Sequence, residues 1–422
     1  MTDITIAILL IDAVLIFALP RRYVLIPIVA SGIVLPMSER IFIFTLDFTA
    51  IRLLLICGWL RLIIKGEYHP AIKINNIDKV LILYVLWITL SYTILWQTME
   101  ALIYKLGGAY YFFGTYLLVR FYITELDDIE RIVKTLLYLS VAISIIAIVE
   151  RTTHNNLFSV LGGVSNETII RDGQLRCFGP FAHPITLGSF GAFLFPLACY
   201  MLWGKKGGKK LGLISLISSV IIVYSSSSSG PALSLIAAIM GLFMWHLRKH
   251  MRMVMWGMIF CVIGLHFIMK APVWALINRI SVFSGSSHYH RFLLVDQAIN
   301  RFSEWWLIGT RSTAHWSEYI QTWDISNNYV RVGVDGGILA LILFIVIIML
   351  CFRYIGKMMN HAKDNLSRQR LFWALGVAMF SYVVSFLGVS LWDQTIMIWY
   401  LIIAMIASIT FDNSRMLQKK KS

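Results

Sequence analysis

Two polar segments beside apolar runs carry the residue types that bind phosphate. In the first, Arg176 and His183 flank a bend made rigid by Gly179 and by two prolines. A cation just outside a bilayer is well placed to hold a phosphate carried by a lipid. The plainer interpretation is an arginine that extends toward lipid headgroups and a histidine whose ring is satisfied by backbone.

The second segment, residues 271–328, is a long polar stretch between two runs of membrane length. Arg291 opens an amphipathic stretch with His290 beside it, and Arg279 lies earlier in the same segment. Arginines that converge without a matching cluster of acids favour a dianionic ligand such as pyrophosphate. The competing interpretation is a solvated helix face with local ion pairs at helical spacing.

The polar segment ends at Asp324–Tyr329, where the chain enters the next apolar run. Arg331 and Asp335 follow at a spacing of four residues, which places both on one face of a helix. Ionisable groups inside a membrane are costly and are candidates for function. A structural ion pair near the membrane interface explains the same pattern.

No motif for a metal or nucleotide occurs: there is no HExxH, no Cys/His cluster at metal spacing, no P-loop and no GxGxxG after a strand. We therefore expect no metal and no other cofactor. An enzyme with this sequence would use a donor that arrives already activated. The five cysteines indicate no disulfide framework, because four lie inside apolar runs and one stands alone in a loop.

The elements that must position these residues are membrane helices. The chain has 422 residues, is 58% hydrophobic and 14% charged, and has a mean hydropathy of +0.74; a soluble protein could not bury so much apolar surface. We predict an all-α fold, a polytopic transmembrane helical bundle of about 12–13 spans. Residues 1–422 form a single transmembrane domain, and 271–328 form one large outward-facing helical loop within it. The predicted spans are 4–20, 23–36, 44–64, 79–96, 107–122, 133–150, 185–203, 211–227, 230–247, 252–270, 329–352, 371–390 and 394–410.

The basic residues predict which loops share a side. The net charge is +15, and cytoplasmic loops accumulate Lys and Arg, which explains this charge better than binding to nucleic acid does. The C-terminus is then inside and the N-terminus outside. The first run, Ile4 to Pro20, lacks a basic start and a cleavage site, so we expect a retained helix. The predicted outward loops are 37–43, 97–106, 151–184, 228–229, 271–328 and 391–393.

Taken in order, these pieces resemble the O-antigen polymerase and O-antigen ligase family of bacterial envelope proteins. The resemblance covers about Arg176 to Phe344. The matching positions are Arg176, Gly179 and His183-Pro184; the serine turn Ser225 to Gly230; Arg279 and Arg291; Leu307-Ile308-Gly309; Asn327-Asn328-Tyr329; and Gly333 with Gly336-Gly337-Ile338.

The resemblance implies a metal-independent glycosyltransferase of the GT-C type in the bacterial inner membrane, with its active face in the periplasm. Its donor would be an undecaprenyl-pyrophosphate-linked glycan, and its other partners would be membrane lipids and a chain-length regulator protein. Arg176 and Arg291 would bind the pyrophosphate, with Arg279 or Arg311 as a further cation. The positions that would shape the bend and the entry into the following span are Gly179, Asn327, Asn328 and Tyr329.

Two departures favour a repeat-unit polymerase of O-antigen or another surface polysaccharide, within lipopolysaccharide biosynthesis, over a ligase. Ligases of this family carry a histidine where Ser326 stands, and an arginine after the serine of the helix hairpin, where this chain continues Ser228-Ser229-Gly230. The catalytic base must then come from elsewhere, and the candidates are Asp324, His183 and His290. The alternatives are a ligase that transfers glycan to lipid A core and, outside enzymes, a polysaccharide transporter or flippase, which would bury polar residues near the midplane and carry internal repeats.

Overall fold

The computed structural model describes residues 1–43, 46–67, 74–204, 208–276, 287–317 and 322–419. The described chain is all-α, with two small β-hairpins, β1 (Arg40–Ile43) with β2 (Leu46–Thr49) and β3 (Ile169–Arg171) with β4 (Gln174–Arg176). The α-helices are α1 (Asp3–Ala18), α2 (Leu25–Val34), α3 (Ala50–Ile64), α4 (Asn76–Trp96), α5 (Met99–Tyr111), α6 (Leu118–Tyr122), α7 (Leu126–Thr153), α8 (Pro184–Trp203), α9 (Lys209–Ser225), α10 (Ser229–Phe243), α11 (Met251–Ile268), α12 (Ser287–Asn300), α13 (Phe302–Trp305), α14 (Asn328–His361), α15 (Leu366–Ser385) and α16 (Gln394–Lys419).

Five helices in the described ranges are long and apolar enough to cross a membrane, so a polytopic helical bundle is plausible. They are Asn76–Trp96, Leu126–Thr153, Pro184–Trp203, Ser229–Ile268 and Asn328–His361. The Ser229–Ile268 stretch joins α10 and α11 through a 3₁₀ segment at the loop that was expected to separate two spans. Helical residues also occupy every one of the other predicted spans in the described chain, although residues 46–49 form strand β2 and not helix.

Helix α8 is the central element of the bundle. Within its apolar window 78% of the residues are buried, and it packs against α9, α10 and α15. It begins where Pro184 takes the first helical position and the His183 side chain caps the first turn. Gly191 and Gly212 allow close packing of α8 on α9, since a methyl group at either would lie within 2.8 Å of the neighbouring helix. The start of α8 is therefore held firmly beside the loop that precedes it.

The loops that the sequence assigned to one side meet at one end of the bundle. Ser38 contacts Gly163, Arg311 contacts Leu95, and Gln394 contacts Pro180. The opposite loops also contact each other, as where Arg370 donates a hydrogen bond to Trp203 O. This grouping agrees with the alternation of sides that was read from the basic loops.

Helix α14 is broken at Gly337, which has a φ of +74° and a ψ of −175°. The turn Leu307-Ile308-Gly309 packs into the break. There Ile338 N donates to Trp306 O at 2.8 Å and Thr310 N donates to Val334 O at 2.9 Å. A Cβ on Gly337 would lie 2.3 Å from Leu307 O. The glycines at this crossing are needed because two stretches of backbone touch there.

The large loop contains the helix predicted from its amphipathic spacing, but with a break. The amphipathic stretch around Arg291 is helical but is divided at Arg301 into α12 and the short α13. A 3₁₀ turn at Val273–Ala275 precedes it in the same loop, and residues 277–286 lie outside the described part of the chain. Trp305 packs on Gly333 of α14 and donates its Nε1–H to Ala298 O at 2.7 Å, which fixes the loop on the bundle.

Candidate functional site

A cavity of about 190 Å³ lies at the end of the bundle where these loops meet. It joins two segments that are more than a hundred residues apart in sequence, the bend before α8 and the start of α12. The lining residues are Arg171, Asp172, Gln174, Arg176, His183, Ile185, Ser227, Ser228, Ser229, His290, Arg291, Asp324, Ser326 and Gly388. Five of the residues that the sequence singled out are therefore brought together: Arg176, His183, His290, Arg291 and Asp324.

The β3–β4 hairpin presents one polar face to this cavity. Asp172 and Gly173 both have positive φ, as the two central residues of a tight hairpin turn require. The strands pair Arg171 with Gln174 and Ile169 with Arg176. Because side chains alternate along a strand, Arg171, Gln174 and Arg176 project from the same face, and all three line the cavity.

Arg176 is held by the turn between α9 and α10. Its Nη2 donates to Ser228 Oγ at 2.8 Å, and Ser228 Oγ donates in turn to Ser226 O at 2.8 Å. The backbone is fixed as well, since Cys177 N donates to Ser225 O at 2.9 Å. The Nε atom of Arg176 is buried and has no hydrogen-bond partner among the described residues. Nη2 of this guanidinium is thus anchored, while Nε remains available to a ligand.

The bend between Arg176 and His183 is fixed by side chains from outside the bend. Glu150 accepts hydrogen bonds from Phe178 N at 3.1 Å and Gly179 N at 3.0 Å. Asn156 donates to Gly179 O at 2.7 Å, and Asp393 accepts from Ala182 N at 2.8 Å. Gly179 has a φ of +54°, which glycine adopts without strain. The bend therefore holds Arg176 and His183, the cavity residues at its two ends, in fixed positions.

Arg291 lies in the first turns of α12 and is 93% buried. Its guanidinium packs over Gly388, where an added Cβ would lie 2.8 Å from Nε and 2.9 Å from Cζ. Gly230 also approaches the same group, since its Cβ would lie 3.7 Å from Nη2. The absence of a side chain at Gly388 is what makes room for this arginine.

The entry motif before α14 positions Gly388. Asn327 caps α14 by accepting from Tyr329 N and Val330 N, and its Nδ2 donates to Leu387 O at 3.1 Å. Asn328 N donates to Phe386 O at 2.9 Å, while Asn328 Oδ1 accepts from Leu391 N at 2.9 Å. Tyr329 donates its hydroxyl proton to Val383 O. These three residues hold the turn that supports Arg291.

Positive charge exceeds negative charge at the cavity, which three arginines and two aspartates line. Within the described chain, neither Arg176 nor Arg291 forms an ion pair, although both are more than nine-tenths buried. Burial lowers the pKa of each, and the nearby Arg171 lowers both further. An arginine stays charged in spite of such shifts. Two buried cations that repel one another are stabilised when an anion binds between them.

His183 is neutral at physiological pH. Burial, with smaller contributions from Arg176 and Arg171, lowers its pKa to about 4. Its Nδ1 accepts the hydrogen bond from Ile185 N at 3.1 Å, so the ring proton lies on Nε2. Because the lone pair of Nδ1 already accepts this hydrogen bond and the pKa of the ring is far below neutrality, His183 is a poor general base. The backbone-satisfied histidine that the sequence analysis weighed is the state that the structure shows.

Asp324 and Ser326 supply oxygen atoms at the same cavity. Asp324 is exposed and lines the wall, so its carboxylate can accept a proton from a bound hydroxyl group. Ser326 lies two residues later, and its Oγ is buried without a hydrogen-bond partner among the described residues. A buried hydroxyl without a partner at a cavity wall is available to a polar ligand. His290 lies beside Arg291 on the same wall.

Other predicted residues lie elsewhere. Arg279 falls outside the described residues. Arg311, expected as a further cation, does not line the cavity; its Nε donates to Leu95 O at 2.8 Å, which ties the loop to the end of α4. Asp335 pairs with Lys105 at 2.8 Å and with Arg331 at 3.3 Å, so these groups form a structural ion cluster. Among the described residues no three His, Cys, Asp or Glu side chains are grouped to hold a metal ion.

Several residues that build the site were not predicted from the sequence. Arg171 and Gln174 could have been found from the Asp172-Gly173 pair, a strong short-range hairpin signal. Glu150 gave no such signal, because it lies at the end of an apolar run and contacts backbone 28 and 29 residues away. Gly388 likewise matters only through a contact with a distant arginine.

No model of a known protein family and no curated protein matches this chain. The residues of the site, and their resemblance to the motifs described above, are what support a functional assignment.

Proposed function

We propose that this protein is a glycosyltransferase, a polysaccharide repeat-unit polymerase that uses an undecaprenyl-pyrophosphate-linked glycan as donor. The acceptor is a sugar hydroxyl of a second lipid-linked repeat. The protein crosses the bacterial inner membrane about 12–13 times, with the cavity on the periplasmic face. The single observation that carries the proposal is the cavity that Arg176 and Arg291 share, in which both are buried without a counter-ion.

The chemistry is a displacement at the anomeric carbon of the donor. The acceptor oxygen forms a bond to that carbon while the bond to the pyrophosphate oxygen breaks, and the electron pair leaves with the pyrophosphate. Arg176 and Arg291 stabilise the charge that develops on this leaving group. Because they are already oriented by Ser228 and Gly388, little reorganisation accompanies the reaction.

The proton of the acceptor hydroxyl moves to a base at the cavity wall. Asp324 is the assignment that the geometry favours, because it is exposed at the wall and can accept hydrogen bonds. His290 is the second candidate, and His183 is set aside because its Nδ1 is engaged. Ser326 stands where ligases of the resembling family carry a histidine, and this favours a polymerase over a ligase.

The test is glycolipid profiling in a strain that produces the polysaccharide, with Arg291→Ala in place of the wild-type protein. Removing one positioned charge donor from such a site typically costs about 10²- to 10³-fold in rate. We expect single lipid-linked repeats to accumulate and polymer to be lost, with normal amounts of protein in the membrane. Arg301→Ala is the matched control, because Arg301 lies just beyond the same helix and pairs with Glu304 at the surface.

The profile also separates the other functions. Polymer that forms on its carrier but fails to reach lipid A core would select a ligase. Repeat units retained on the cytoplasmic side would select a transporter. A normal distribution of polymer lengths in the Arg291→Ala strain would reject the assignment of this cavity.

A further inference from the structure

The β3–β4 hairpin carries a charged residue, Arg171, whose contacts in the described chain contribute little to the stability of the fold. Within the described part of the chain, the ion pair that Arg171 forms is with Asp172, the next residue in the turn, with Nε and Oδ2 3.7 Å apart. Their side chains are 45% and 54% exposed. An exposed pair at that distance contributes little to stability. Nor does the turn need the aspartate charge, because asparagine before glycine forms the same type of turn.

The position of Arg171 does concern the cavity. The register of the hairpin places it on the same face as Gln174 and Arg176, and all three line the cavity wall. The charge of Arg171 acts on both buried arginines and on the neutral His183, since it lowers the pKa of Arg176, of Arg291 and of His183. Three guanidinium groups therefore surround one space, two of them buried and the third on an exposed arm.

We propose that the hairpin is a phosphate-binding arm in which Arg171 is the third guanidinium ligand of a diphosphate group in the cavity, and Asp172 competes with that group for Arg171. The proposal rests on the proposed function for the identity of the ligand, and deepens it by naming the third cation. Arg176 and Arg291 are fixed by their packing, whereas Arg171 is free to turn from Asp172 to the ligand. The donor diphosphate carries two negative charges, and a third develops on it as the bond to the sugar breaks, so a third cation at the mouth favours this leaving group over singly charged groups.

The two neighbouring charges allow a test with opposite expected signs. The full-length protein is placed in nanodiscs of zwitterionic lipid, and its affinity is measured for inorganic pyrophosphate and for farnesyl pyrophosphate. The variants are Arg171→Ala, Arg171→Lys and Asp172→Asn, with Arg176→Ala as a positive control and Arg301→Ala as a negative control. Thermal unfolding of each variant in the nanodisc checks that the protein is folded.

We expect Arg171→Ala to weaken binding of both probes by about tenfold, the value of one charge pair in a partly screened site. Arg171→Lys keeps the charge but not the bidentate geometry, so its loss is smaller. Asp172→Asn removes the competing carboxylate and keeps the turn, so it tightens binding several-fold. Equal affinities for the two probes would identify the diphosphate alone as the recognised group, whereas tighter binding of farnesyl pyrophosphate would identify the lipid-linked form.

The outcomes separate this inference from the proposed function. If the wild-type protein binds both probes and neither Arg171→Ala nor Asp172→Asn changes the affinity, the arm has no role and the polymerase proposal stands. If the wild-type protein binds neither probe, both proposals fail. A weaker affinity in Asp172→Asn would overturn the competition between Asp172 and the ligand.

Discussion

Gly388→Ala tests whether the position of the Arg291 guanidinium limits activity. A Cβ at this residue would lie 2.8 Å from Nε and 2.9 Å from Cζ of Arg291. Ordinary contacts begin at 3.4 Å, so the guanidinium must move by about 0.6 Å. Gly388 is not among the residues with positive φ, so alanine adds no backbone strain. The steric conflict is with the end of a flexible side chain, which can move away.

The expected loss is therefore in function and not in folding. A shift of that size lengthens a 2.9 Å hydrogen bond to about 3.5 Å, beyond useful range. A hydrogen bond to a charged group contributes about 1.5–3 kcal/mol, and about 1.4 kcal/mol corresponds to a tenfold change in rate. We expect polymer formation to fall about ten- to a hundredfold, while the free energy of unfolding changes by less than about 1 kcal/mol.

The assay is the rate of polymer formation on lipid-linked repeats by the purified protein in nanodiscs, with thermal unfolding of the same samples. Gly230→Ala is the matched control, because its Cβ would lie 3.7 Å from Nη2 of the same arginine, an ordinary contact. It should retain wild-type activity. Wild-type activity in Gly388→Ala, or equal losses in the two variants, would refute the reasoning that Gly388 makes room for a functional guanidinium.

Two further predictions concern the mounting of the site. Gly309→Ala should destabilise the protein by more than about 3 kcal/mol, because its φ is +98° and a Cβ would lie 2.1 Å from Val334 O. Gly257→Ala is the control, since a Cβ there would have nothing within 4 Å. Similar melting temperatures of the two variants would contradict the close crossing of backbone at Gly309. Burial raises the pKa of Asp393 to about 6 from 3.8. Between those pH values the folded state therefore binds more protons than the unfolded state. The contribution of this carboxyl to stability is present below about pH 4 and is lost as the pH rises through 6. His183 has its pKa lowered to about 4, so its contribution to stability increases as the pH rises from 4 to 6.5. Asp393→Asn should therefore give a melting temperature that rises more steeply from pH 4 to 6 than in the wild type, and an unchanged slope would count against the raised pKa.

Hydropathy was sufficient to locate the helices, because a run of apolar residues has few other stable states in a membrane protein. It did not locate the two hairpins, whose strands are only three or four residues long. Nor did it identify the join between α10 and α11, where a basic cluster read as a loop is a 3₁₀ segment. Local sequence thus predicted the regular elements, and failed where short backbone segments obtain their shape from their neighbours.

The fate of the arginines was harder to predict, because it depends on which carboxylates the folded chain brings beside each guanidinium. Arg61, which lies in the predicted span 44–64, is 99% buried and forms a two-bond ion pair with Glu67. Arg52, in the same predicted span, pairs with Asp47. Arg120, which the sequence analysis did not consider, is buried against Asp78.

Ion pairing is what separates structural arginines from candidate ligands in this protein. A buried arginine that has its carboxylate already has its charge compensated, and binding an anion there would require that pair to break. Arg176 and Arg291 have no such partner in the described chain, and their immediate contacts are a serine hydroxyl and a glycine. Holding two buried like charges together costs free energy that the fold alone does not recover. That cost is explained if the compensating negative charge arrives with the substrate, and this is why the unpaired state of these two arginines, and not their number, points to an anionic ligand.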